Sequence, residues 1–143
     1  MMCTFLGHHD VQSNIREALK KAIVELIQNG VDEFVVGNNG KFDFYAQEIL
    51  IELQNRGEKI NISIALSHID EESLTNSQGF TVFPDVLEKC LPRFAISKRN
   101  DWMIKKSQVA VVYLAHNFSN TSKWVEKAKR RKLKIININD YIH

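Results

Sequence analysis

EFVVGNNGKFDFYAQEILIELQNRG, residues 33–57, decides the fold. Glu33 to Val36 is a short, nearly continuous apolar run of the kind that forms a strand buried on both faces. Gly37 to Asp43 follows, with two glycines and two asparagines that tolerate positive φ and mark a tight connection. From about Phe44 the apolar residues Ala46, Ile49, Leu50 and Leu53 recur at helical spacing and stop at Arg56-Gly57. Asp43 stands where the helix N-cap is expected. Strand, glycine turn and helix in this order make up most of a β-α-β unit, whose crossover is right-handed and whose strands run parallel.

The same cycle recurs on either side. Upstream, the strand Cys3 to Leu6 leads through Gly7-His8-His9-Asp10 into a helix whose stripe is Val11, Ile15, Leu19, Ala22, Ile23, Leu26 and Ile27, ending at Asn29-Gly30. Downstream, Ile60 to Leu66, Val109 to Leu114 and Ile135 to Ile138 read as further strands, and a helix carrying Trp124, Val125 and Ala128 precedes the last. The near-continuous apolar runs belong at the centre of the sheet and the alternating ones at its edges. The expected architecture is therefore an α/β single domain over residues 1–143, a Rossmann-like parallel sheet in strand order 3-2-1-4-5 with helices on both faces. In that order the first and fourth strands meet at a topological switch point, and ligands bind beyond the carboxyl ends of the strands.

Composition agrees with one domain. The chain has 143 residues, 44% hydrophobic and 25% charged, enough to build a core and too apolar for disorder. A formal net charge of +2 argues against nucleic acid as a partner, although Lys127, Lys129, Arg130, Arg131, Lys132 and Lys134 crowd together. Cys3 and Cys90 lie far apart without ligand spacing, so no metal site and no disulfide framework is expected, and buried reduced thiols are. No leader or membrane-length apolar run is visible, which makes the expected setting cytoplasmic with no membrane partner. Nothing decides for or against a homodimer.

Three turns at the switch point hold the candidate ligand residues. Gly7, His8 and His9 open the first helix, where free amides and the helix dipole suit an anion, while Asp10 as a cap would explain the same turn. Gly37, Asn38, Gly40 and Asp43 form the second turn, which lacks both the P-loop ending and the dinucleotide-binding glycine triplet. Ser119, Asn120, Thr121 and Ser122 are all good cap residues for the helix after the fourth strand. Arg99 falls in the apolar stripe of Ala95, Ile96, Trp102 and Met103, where a guanidinium needs an anionic partner, either a carboxylate of the protein or a bound phosphate. Asn100 lies beside it. The long stretch Ser67 to Pro92 reads as a loop, with a short helix within Pro84 to Leu91, and its His68, Asp70, Glu71 and Glu72 read as a solvated acidic segment.

Taken together, CTFLGHHD, FVVGNNGKFD, PRFAISKRNDWM and AVVYL followed by KWVEKAKRRKLKIINI resemble the YpsA/YoqJ-like branch of the SLOG superfamily, which is related to the DprA (Smf) and LOG proteins. The resemblance implies a Rossmann-like fold that binds a nucleotide or nucleotide-derived ligand of the AMP, NAD or ADP-ribose class. It matches Gly7 and His8 to the first loop, Gly37, Gly40 and Asp43 to the second, and Arg99, Asn100 and Met103 to the RNxxM segment. His9 stands where the family has arginine, and Phe118-Ser119-Asn120-Thr121 replaces its usual glycine pair. The PGGxGTxxE motif of the enzymatic LOG proteins is missing. The leading reading is regulatory nucleotide binding. The alternatives are a nucleotide N-glycosidase, with Asp43 as its catalytic carboxylate, and a DNA-associated or protein-interaction module using the basic stretch.

Overall fold

The computed structural model describes residues 1–7, 15–69, 80–114 and 120–142. Its strands are β1 (Met2–Gly7), β2 (Glu33–Val36), β3 (Asn61–Ala65), β4 (Phe80–Val82), β5 (Val109–Tyr113) and β6 (Lys134–Asn137). They form one parallel sheet in the order β4-β3-β2-β1-β5-β6. The helices are α1 (Ile15–Gln28), α2 (Lys41–Asn55), α3 (Ala95–Lys106) and α4 (Asn120–Arg130).

The α/β class is as expected, and the strand order differs in one detail. β4 pairs outside β3, so the alternating strand Asn61–Ala65 is not an edge. β4 escaped the sequence reading because three residues are too few to show a period, and Phe80 is exposed. The stretch after Pro84 contains 3-10 turns at Asp85–Leu87 and Pro92–Phe94 rather than an α-helix.

Each strand sorts its side chains onto two faces. Cys3, Phe5, Phe34, Val36, Ile62, Ile64, Val109 and Val111 face α1 and α2, forming the larger core with Leu19, Ile23, Ile49 and Leu50. Leu6, Ala110 and Val112 meet Ile104 of α3 and Val125 and Ala128 of α4, while Val35 and Ala65 meet Met103. Burying a leucine or isoleucine in such a core contributes about 1.5–3 kcal/mol. Both cores are needed because a parallel sheet hides both faces.

Helix ends follow local chemistry. Gly30 (φ 96°) and Gly57 (φ 106°) close α1 and α2 in the left-handed conformation, with Val31 N–H donating to Leu26 O at 3.0 Å and Glu58 N–H to Leu53 O at 3.1 Å. Asp43 is not the N-cap of α2. Gly40, at φ 100°, takes that place, and Asp43 sits in the first turn, its carboxylate accepting the Asn39 N–H at 3.0 Å. Lys41 and Phe42 are thus helical, and the helix begins three residues before Phe44. Among the described residues no helix is long and apolar enough to cross a membrane. Cys3 is buried and Cys90 half-buried, so only one thiol matches the buried reading, and both are free.

Candidate functional site

The parallel register brings the carboxyl ends of β1, β2 and β5 to one edge, with Gly7 opposite Tyr113. A cavity of about 620 Å³ opens there. Its lining includes Gly7, Asn39, Asp43, Arg99, Asn100, Asn120 and Thr121. Six of the residues expected from sequence therefore share one cavity: Gly7, Asp43, Arg99, Asn100, Asn120 and Thr121. Gly37 lies beneath it, against Arg99 and Asp43. Asn38 and Gly40 line a neighbouring hollow instead. His8, His9 and Ser119 lie outside the described residues, as do the Asp10 cap and Asp70, Glu71 and Glu72.

Arg99 organises the floor. It is only 2% exposed, because Ala95 and Met103 one turn away on α3 are themselves buried and draw that face onto the sheet. Its Nη1 donates to the Oδ1 of Asn39 and, at 3.4 Å, to that of Asn38. Nη2 donates to Asn100 Oδ1 at 2.9 Å. Burial lowers the Arg99 pKa from its ordinary value, and the charge of Asp43 opposes that shift. Of the two anionic partners left open by the sequence, a protein carboxylate is present in Asp43, and a cavity lies beside it. Among the described residues, the buried Nε of Arg99 has no hydrogen-bond partner.

Gly7 and Gly37 are needed for space, whereas Gly40 is needed for its positive φ. A Cβ on Gly37 would stand 2.9 Å from Arg99 Cζ and 2.9 Å from Asp43 Oδ2, so only glycine lets both charged groups approach the backbone. A Cβ on Gly7 would meet the ring of Phe42, so this glycine serves packing as well as the cavity. Gln47, buried in α2, donates to Gly37 O at 2.9 Å and holds the turn from behind.

The opposite wall comes from α4. Lys123, Lys127 and Arg130, with Trp124 among them, line the cavity. Lys127 pairs with Asp101 of α3, and its Nζ lies 5.6 Å from the Trp124 ring centroid. Burial raises the Asp101 pKa, but bonds to Lys127 and Lys105 outweigh it and hold the carboxyl below its ordinary range. The sequence reading placed no cavity on this wall. Its signal was nevertheless legible, since positions 123, 127 and 130 are spaced i, i+4, i+7 on one helix face. A basic wall, an aromatic ring and an amide-rich floor can accept a phosphate and a base together.

The YspA SLOG family (YpsA) matches residues 1–142. UPF0398 protein BH1768 of Halalkalibacterium halodurans is 24% identical over 140 residues, covering 90% of this chain and 74% of that protein. Among solved structures, DNA processing protein A of Streptococcus pneumoniae superposes with a TM-score of 0.69 at 13% identity, over 95% of this chain and 49% of that one. This chain thus spans about half of the Streptococcus protein. DNA processing protein A of Helicobacter pylori superposes with a TM-score of 0.60 at 14% identity, over 99% of this chain and 78% of that one. That structure describes a single-stranded DNA binding mode. The expectation that nucleic acid is an unlikely partner is corrected here. It rested on net charge, which averages the acidic residues of the whole chain with the basic wall of α4, and a protein of this fold binds single-stranded DNA.

Proposed function

Since the chain belongs to the YspA SLOG family, we propose that its carboxyl-edge cavity binds single-stranded DNA, with Lys123, Lys127 and Arg130 meeting phosphates and Trp124 offering a stacking face. The observation that carries this reading is the α4 wall, where three cations surround a half-buried indole over a cavity of about 620 Å³. The described single-stranded DNA binding of the Helicobacter pylori protein of the same fold supports it. Arg99 acts from below, positioning Asn39 and Asn100 and supplying positive potential. With both cysteines free, a reducing compartment such as the cytoplasm suits the protein.

Fluorescence anisotropy of a labelled oligothymidylate tests the reading. Binding should weaken as salt rises, and Trp124→Ala should cost about 1–3 kcal/mol. Salt-independent binding, or an unchanged affinity in the variant, counts against it. The polar, partly enclosed floor of Asp43, Asn39 and Asn100 favours a second reading, a free nucleotide of the AMP, NAD or ADP-ribose class. Calorimetry with those ligands separates the two, and release of free base abolished by Asp43→Asn would turn the second into a hydrolase.

A further inference from the structure

Consecutive residues of the turn between β2 and α2 divide between two hollows. Asn39 lines the carboxyl-edge cavity, whereas Asn38 and Gly40 line a second one of about 410 Å³ together with Lys41, Phe44 and Tyr45. Phe44 is 41% exposed and, among the described residues, belongs to none of the core clusters. Its neighbours in the first turn of α2, Phe42 and Asp43, are buried, whereas the ring at position 44 stays partly open to solvent. Lys41 is exposed one turn before it. An open ring beside an ammonium group, on a polar rim, matches the recurring chemistry of single-strand grooves: the ring stacks on a base and the cation meets the phosphate next to it.

From this geometry we infer that the second hollow is a second station for the same strand, with a base on Phe44 and a phosphate at Lys41. The strand crosses the turn Asn38-Asn39-Gly40 to reach it from the cavity walled by Trp124. This rests on the reading of the carboxyl-edge cavity as a single-stranded DNA site. Continuity favours it over an unrelated occupant, because the two hollows share one turn and both carry lysine and an aromatic ring.

Oligothymidylates of about 4 and about 16 nucleotides, the range that grooves of this kind cover, separate the two stations. The wild type should bind both, and the longer more tightly. Phe44→Ala should weaken the longer oligonucleotide about tenfold and leave the shorter one unchanged, a loss equal to one stacked base. Phe44→Trp should restore it. Because Phe44 lies outside the core clusters of the described residues, all three proteins should melt at closely similar temperatures. An unchanged affinity of Phe44→Ala for the longer strand, or equal losses at both lengths, overturns the second station while leaving the first cavity standing. Failure of the wild type to bind either length overturns the reading of the first cavity, and this inference with it.

Discussion

Gly37 shows how one missing methyl group makes the site. Its carbonyl is held by Gln47, and its Cα face is covered by the Arg99 guanidinium and the Asp43 carboxylate. Its φ lies outside the left-handed region, so the backbone itself would accept a side chain. Space alone forbids one. Gly37→Ala is therefore expected to destabilise the fold by about 1–3 kcal/mol, the usual range for overpacking, because Arg99 would have to shift from its bonds to Asn39 and Asn100. It should also weaken oligonucleotide binding by tilting the asparagines that Arg99 holds. Urea unfolding and anisotropy on the same variant check both effects. Gly30→Ala, where nothing lies within 4 Å but φ is 96°, is the control: it should lose stability through conformation and keep its binding. From sequence, Gly37 was singled out for backbone freedom. Its actual reason is close approach by Arg99, 62 positions later, and no local pattern carries that information.

Helix α4 joins the basic wall to its own structural termination. Lys132 closes it at φ 65°, with Leu133 N–H donating to Ala128 O at 3.1 Å, in the position that glycine takes after α1 and α2. A side chain in the left-handed region costs about 1 kcal/mol, so Lys132→Gly should raise stability by several tenths to about 1 kcal/mol. Lys132 does not line the cavity, so DNA binding should change little, and denaturant midpoints with and without oligonucleotide check this. Between α4 and α3 stands Asp101, flanked by Lys127 and Lys105. Its folded pKa lies below the ordinary value. The stabilisation from these pairs is therefore complete above about pH 4 and disappears as acid protonates the carboxylate in the folded state. Asp101→Asn should melt earlier than the wild type near neutral pH, and the gap should shrink as the pH falls below about 4, which thermal melts across a pH series will reveal. The helices themselves were legible from their stripes. The start of α2 was misplaced because Gly40 in the left-handed region caps without a side chain, whereas Asp43 carries the residue type that caps usually have.

At the scale of the molecule, the sheet's order places the end of β1 and the turn after β2 beside the start of α4, and the charges gathered there set the expected binding. Three cations on the α4 wall predict that the logarithm of affinity for single-stranded DNA falls with the logarithm of salt at a slope of about −2. The anisotropy titration proposed above measures that slope directly, and Lys127→Ala should reduce its magnitude by somewhat less than one unit, since Asp101 already neutralises part of that charge. The sequence by itself determined the parallel α/β class and the central strands, and it named six of the residues that line the carboxyl-edge cavity. Period and composition report burial on one or two faces, and the chain returns to the same edge after every crossover. Only the tertiary structure decided that β4 extends the sheet, that Asn38 and Asn39 serve different hollows, and that α4 turns its lysines towards Arg99. These depend on which surfaces meet across the fold, and a contact between residues far apart in the chain leaves no period in either segment.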